Sequence, residues 1–133
     1  MKNNISVTRK EHFNCAHRLH NPNWSDEKNA SFYGKCNNPN YHGHNYNLEV
    51  TITGALNEES GYLIDMKLLS DIIKEEILNP FDHKNLNLDV EDFKNLNPTA
   101  ENMAIVMYKK LKNRLDNHFE IKIKLYETER NSV

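Results

Sequence analysis

From residue 42 to residue 52 every second position belongs to one set: His42, His44, Tyr46, Leu48, Val50 and Ile52. Between them lie Asn45, Asn47, Glu49 and Thr51. Side chains of a strand alternate faces, so this spacing predicts a strand with one buried face. It also puts two imidazoles in phase with the core residues, at one end of that face. Neutral imidazole is the commonest protein metal ligand, and zinc accepts it readily. The strand grows out of a turn-rich stretch. Residues 34–46 read GKCNNPNYHGHNY, which brings a thiol, Cys36, close to the two histidines in sequence.

Upstream, Ile5, Val7, Phe13, Cys15, His17 and Leu19 share one parity, with Arg9 and Glu11 interrupting it. This predicts a long first strand, bulged near its middle. His17 then points inward beside Phe13 and Cys15, either as a hydrogen-bonded core residue or as a third ligand. Cys15 reads as a small buried hydrophobe. Residues 20–33 are polar and read as a surface excursion with a helical turn over 25–29, pinned by Trp24 and Phe32.

After Gly54 the period changes. Asp65 is placed to cap a helix whose stripe is Leu69, Ile72, Ile73 and Ile77, with Asn79-Pro80 as its stop. A loop follows, carrying Asp82-His83. A second helix opens at Asn97-Pro98-Thr99, with proline at the first helical position, and buries Met103, Val106, Met107, Leu111 and Leu115. The last segment returns to period two with Phe119, Ile121, Ile123 and Leu125. Glu127 falls in the same phase. Either the strand has ended and this carboxylate meets water, or it faces inward and needs a partner.

The order is strand, strand, helix, helix, strand, with a short final strand. That is an α+β chain with two helices on one face of an antiparallel sheet. Its 133 residues, 38% hydrophobic and 27% charged, suit one soluble domain spanning 1–133. A net charge of -2 offers no basic footprint for nucleic acid or an anionic membrane. No apolar run nears the ~20 residues of a membrane span, and the first residues lack the apolar stretch of a secretory signal. A cytoplasmic location, with Cys15 and Cys36 reduced, is the expectation. Three imidazoles with a fourth position open are the pattern of a catalytic zinc. Cys36 is then either a fourth ligand, which closes the site, or a base.

Five stretches occur in order: FNCAHRL at 13–19, GKCNNPNYHGHNY at 34–46, FDHKNLN at 81–87, NPTAEN at 97–102 and YET at 126–128. Together they resemble the 6-pyruvoyl-tetrahydropterin synthase / 6-carboxytetrahydropterin synthase family over nearly the whole chain. The resemblance implies a tunnelling (T-fold) domain of β-β-α-α-β-β order, assembled as a homo-oligomer in which two trimers stack into a hexamer. It implies 7,8-dihydroneopterin triphosphate as substrate and Zn2+ as cofactor. His17, His42 and His44 match the family's zinc ligands, and Cys36 matches its catalytic thiol. Asp82 and His83 match the rest of its proton-transfer set, which reaches the site from a neighbouring subunit. Glu127 matches the carboxylate that anchors the pterin ring, and Thr99 and Glu101 fall in a segment that lines the pterin pocket. In family chains an apolar strand follows the Glu127 motif. Only residues 128–133 are present here to form it, so a short fourth strand is expected.

Two lyase reactions share these residues. The 34–46 motif resembles the pyruvoyl branch, whereas GYLID at 61–65 and the Asn- and Lys-rich chain resemble bacterial carboxy-branch members. The expectation drawn is the carboxy reaction. It yields 6-carboxy-5,6,7,8-tetrahydropterin on the queuosine route, with loss of triphosphate and acetaldehyde. The alternative is 6-pyruvoyltetrahydropterin synthesis on the tetrahydrobiopterin route. A third reading, a non-catalytic zinc-stabilised pterin-binding module, leaves Cys36 and Asp82-His83 without a use.

Overall fold

Strand β1 (Asn4–His17) pairs antiparallel with β2 (His42–Ala55) from Asn4 opposite Ala55 to His17 opposite His42. These elements belong to a computed structural model that describes residues 3–133. The register has no break, so the expected bulge in β1 is absent. Arg9 and Glu11, which interrupt the apolar parity, bind each other instead. Arg9 Nε and Nη2 both lie 2.8 Å from Glu11 Oε1. A side-chain ion pair, not a backbone irregularity, accommodates two charges on the inward parity.

The excursion after β1 carries a full helix, α1 (Asp26–Tyr33), rather than a single turn. The Ser25 hydroxyl caps it, accepting from the Lys28 N–H at 3.1 Å. Trp24 stacks on Tyr33, and Phe32 meets Trp24 edge-on while remaining 69% exposed. These aromatics pack on one another. The tie within the excursion is Asn29, fully buried, whose amide accepts from the Asn21 N–H at 2.7 Å and donates to the Asn21 and Ser25 carbonyls. A 3-10 turn, Gly34–Asn37, then carries Cys36.

Asp65 caps α2 (Met66–Ile73) as expected, its carboxylate accepting from the Lys67 N–H. Proline does not stop the helix. It runs through a wide π turn, Lys74–Leu78, into α3 (Asn79–Phe81). Pro80 follows directly on the π turn, where the widened helix lacks the regular i to i−4 bonding that a proline would otherwise break. Arg114 braces the π turn from outside, donating to both Glu75 and Glu76.

Strand β3 (Lys84–Asn85) was not legible in the sequence and runs parallel to β1 beside Cys15 and Ala16. A turn of helix, α4 (Leu86–Asp89), follows. Thr99, not Asn97 or Pro98, caps α5 (Ala100–Arg114), and Pro98 precedes the cap instead of opening the helix. Strand β4 (Glu120–Tyr126) pairs antiparallel with β2, giving the sheet order β3-β1-β2-β4. The sheet is therefore antiparallel apart from two residues of β3. The short final strand reduces to a bridge at Ser132, with Leu125 and Val133 exchanging both backbone hydrogen bonds at 2.9 Å.

Helices α2 and α5 cover one face of the sheet. Leu48, Val50 and Ile52 of β2 meet Leu69 and Ile73 of α2 and Met103, Met107 and Leu111 of α5 in one buried cluster. The opposite face is polar, with hydroxyl pairs Ser6–Thr53 and Thr8–Thr51 at 2.6 and 2.8 Å. This is the expected α+β arrangement. Among the described residues no helix is long and apolar enough to cross a membrane. Leu111→Ala, which empties the fully buried centre of α5, is expected to cost about 2–5 kcal/mol in urea unfolding. A loss below about 1 kcal/mol would mean that this layer does not carry the core.

Candidate metal centre and active site

The last residue of β1 and the first and third of β2 bring three imidazoles together, because His17 is the register partner of His42. One ring nitrogen from each of His17, His42 and His44 lies within 4.8 Å of the others. His17 Nε2 and His42 Nε2 are 3.1 Å apart. Nitrogens bound at roughly 2.0–2.1 Å to a tetrahedral ion would be about 3.3 Å apart, so the spacing suits a shared ion. His17 Nδ1 lies 2.8 Å from the Pro98 carbonyl. A carbonyl can only accept, so Nδ1 holds the proton and the Nε2 lone pair turns toward the cluster.

Two ring nitrogens, His42 Nδ1 and His44 Nε2, are buried with no hydrogen-bond partner among the described residues. Each unmade bond costs about 1–3 kcal/mol. An ion among the three rings would satisfy His44 Nε2. Burial pushes His17 down to about 4, opposed by the Pro98 hydrogen bond and helped by the charges of His42 and His44. Burial, then His44, also lowers His42. His17 and His42 are thus biased toward the neutral form, which is the form that binds metal. The donor set fits a metal ion.

The glycine between the two β2 histidines is required by close approach. A Cβ on Gly43 would lie 3.1 Å from the Cys15 carbonyl oxygen. Tyr41, just before His42, has φ of 68°, a left-handed conformation that bulky residues rarely adopt.

Glu127 faces inward, which settles the question its phase posed. Its carboxylate oxygens lie 3.8 Å from His44 Nε2 and 3.9 Å from His17 Nε2. The Tyr46 hydroxyl donates to the same carboxylate at 3.5 Å. Tyr46 is fully buried and stacks on Phe13 at 5.1 Å, and the sequence reading placed it only in the core. Its phase with His42 and His44 was the available signal. Burial, then the charges of Cys15 and Glu127, raise its phenol. The Pro98 carbonyl, a backbone group, had no sequence signal.

Cys36 is half-buried on its 3-10 turn, and its carbonyl accepts from the Leu19 N–H at 2.9 Å. It stands outside the converging ligand set. Cys15 is buried in the core as expected, with burial pushing its thiol up to about 12. Thr99, Glu101 and Glu127 line one cleft of about 390 Å³. The Thr99 hydroxyl is already engaged as the α5 cap.

Asp82 and His83 do touch. His83 Nδ1 lies 3.0 Å from Asp82 Oδ2. Asn14 of β1 clamps both, its N–H donating to Asp82 Oδ1 at 3.0 Å and its carbonyl accepting from the His83 N–H at 2.6 Å. The Asn14 N–H is the main cause holding the Asp82 carboxyl below its ordinary value. His83 has φ of 61°, and its side chain is 75% exposed. Among the described residues no hydrogen bond or ion pair joins this pair to the three histidines or to Cys36.

The neutral, buried His17 has a stability consequence for the metal-free protein. Its folded pKa is depressed below the ordinary 6.5, so an unfolded chain binds a proton the folded one refuses. That contribution is complete above pH 6.5 and is lost as pH falls toward about 4. Chelator-treated protein is therefore expected to melt at progressively lower temperature across that window, and His17→Asn to flatten the slope. An identical slope in the variant would refute the assignment.

Comparison with known proteins agrees with this geometry. The family model for 6-pyruvoyl tetrahydropterin synthase matches residues 6–133. The 6-pyruvoyl tetrahydrobiopterin synthase of Homo sapiens is 40% identical over 127 residues, covering 96% of this chain and 88% of its own. The 6-carboxy-5,6,7,8-tetrahydropterin synthase of Rickettsia typhi is 32% identical over 143 residues, covering 94% of this chain and 95% of its own. The structure of 6-pyruvoyl tetrahydropterin synthase from Caenorhabditis elegans superposes with a TM-score of 0.93 at 38% identity, covering 99% of this chain and 94% of that one. The expected carboxy reaction and queuosine route are therefore corrected: the higher identities lie with the pyruvoyl branch. The structure gives the reason for the error. Residues 34–46 lead into the metal cluster, whereas the 61–65 stretch forms a turn and the α2 cap beside Ile5 and Leu56, at the far end of the β1–β2 pair. A likeness there says nothing about chemistry. The matched span, the shared fold and the motif at the histidines agree: the chain belongs to the 6-pyruvoyl tetrahydropterin synthase family.

Proposed function

We propose that this chain is a lyase that converts 7,8-dihydroneopterin triphosphate to 6-pyruvoyltetrahydropterin with release of inorganic triphosphate. The observation that carries the reading is the cluster of three converging imidazoles with the Glu127 carboxylate beside it. The reaction needs no external oxidant. Two side-chain carbinols are oxidised to ketones: one electron pair reduces the dihydropterin ring, and the other is taken up by the terminal carbon, which loses triphosphate by elimination and becomes a methyl group.

His17, His42 and His44 would hold the ion, and three nitrogen donors with an open position suit zinc. Bound there, zinc supplies Lewis-acid polarisation of the substrate's side-chain hydroxyls. Cys36, as thiolate, takes the carbon-bound proton. Glu127 and Glu101 are the two carboxylates of the cleft available to the pterin N–H and amino groups, where a bidentate contact is strongest. Asp82 sets the tautomer of His83, and His83 passes the proton on. His83 is exposed and its loop is bound at the edge of β1 away from β2; by family resemblance it serves the site of a neighbouring copy in a homo-oligomer, a hexamer. A reducing compartment, the cytoplasm, keeps Cys36 a free thiol.

Mass spectrometry of the product is the primary test, with 6-pyruvoyltetrahydropterin expected. Acetaldehyde and 6-carboxytetrahydropterin would overturn the reading. Cys36→Ala is expected to keep its metal and fold while triphosphate release drops at least ~100-fold. Loss of metal in that variant would make Cys36 a ligand instead of a base. Cys36→Ala and His83→Ala subunits, each inactive alone, are expected to regain part of the activity when refolded together. No recovery in oligomers verified as mixed would place both groups within one chain's site.

A further inference from the structure

Beside the metal cluster lies a second cleft, of about 500 Å³, whose walls present hydrogen-bond donors and, among the described residues lining it, no carboxylate. In a chain of net charge -2 that is a local departure. Arg18 is fixed by three bonds. Its N–H donates to Asn87 Oδ1 at 2.8 Å, its carbonyl accepts from Asn87 Nδ2 at 3.0 Å, and its Nε donates to the Asn37 carbonyl at 2.9 Å. Its two terminal amino groups have no partner among the described residues.

His20 is oriented as well. Asn37 Nδ2 donates to the Leu19 carbonyl at 2.8 Å, which fixes it as the nitrogen end of the amide. The same Nδ2 lies 3.0 Å from His20 Nδ1, so Nδ1 accepts and the ring proton sits on Nε2. The Tyr33 hydroxyl accepts from Asn97 Nδ2 at 3.1 Å, which leaves its own hydrogen free to donate. Lys94 adds a mobile ammonium, 69% exposed and only loosely paired with Glu91 at 3.9 Å. The cleft adjoins the metal cluster on two sides. Tyr41 and Pro98 both line it; Tyr41 precedes His42, and Pro98 accepts from His17.

We infer that this cleft binds a polyphosphate anion and that its occupant is the triphosphate tail of the substrate, with Arg18 and Lys94 as the charged contacts. The occupant rests on the function proposed above; the anion chemistry does not. A pre-oriented guanidinium suits phosphate oxygens, and charge-assisted bonds of this kind are about twice as strong as neutral ones. The tail leaves as a highly charged product, so a site that holds it near the ion by fixed donors also steadies the leaving group.

Inorganic tripolyphosphate is the probe, titrated calorimetrically into the full chain. Binding that weakens with salt is expected, and Arg18→Gln with Lys94→Gln is expected to reduce the affinity at least ~10-fold with metal content unchanged. Dihydroneopterin, which lacks the phosphates, is expected to bind both proteins alike. KM for dihydroneopterin triphosphate is expected to rise in the double variant. Equal tripolyphosphate affinities in the two proteins overturn the site. Loss of tripolyphosphate binding with an unchanged KM makes the cleft a free-anion site and overturns the tail assignment. The titration needs no turnover, so a protein that binds tripolyphosphate here yet forms no tetrahydropterin refutes the proposed reaction and not the anion cleft.

Discussion

The unbroken register between β1 and β2 is the constraint from which the rest follows. Because a strand shows alternate residues to each face, one slip by a single position would put Phe13 on one face of the sheet and Tyr46, Leu48, Val50 and Ile52 on the other, so that one set would leave the core. The same slip would send His17 to one side of the sheet and His42 and His44 to the other. Core and histidine cluster are thus specified by one pairing, and the burial that fixes the first fixes the second. Gly43 belongs to the same constraint, since a side chain there would crowd the Cys15 carbonyl of β1.

Where the ladder ends, asparagine side chains take over from backbone. Asn87 pairs with both polar groups of Arg18, Asn37 takes the Leu19 carbonyl, and Asn97 takes the His20 N–H. Asn29 does the same for Asn21. An amide carries donor and acceptor in the spacing of a peptide group, so it satisfies an irregular segment as a neighbouring strand would. The segment after His17 is ordered without regular secondary structure, and this ordering aims Arg18 and His20.

Much of this was legible because burial writes itself into periodicity. The period-two runs marked three long strands, the period-3.6 stripes marked α2 and α5, and the phase of His17, His42 and His44 put all three on one face, while that of Glu127 left an inward and a solvent position open. What escaped detection has no period. Strand β3 is two residues long, the π turn that carries α2 past Pro80 depends on packing, and the Asp82–His83 contact depends on a clamp from Asn14, far away in sequence. Arg9 and Glu11 misled because the sequence shows two charges on an apolar parity but not that they bind each other. The expected branch of the family was wrong because it followed a resemblance at residues 61–65 and in composition over one at residues 34–46, although only the latter adjoins the cluster.

The position of the histidines at the root of the long excursion has one more effect. His17 and His42 face each other across the mouth of the loop 18–41, so an ion shared by them ties off that loop. Closing a long loop costs chain entropy, which grows with the logarithm of its length, and a metal clip recovers it by restricting the open chain. The ion would then act as a clasp as well as a reagent. Order in the excursion, and with it the position of Cys36 at the far side of α1, would depend on the same atom that the proposed reaction would use.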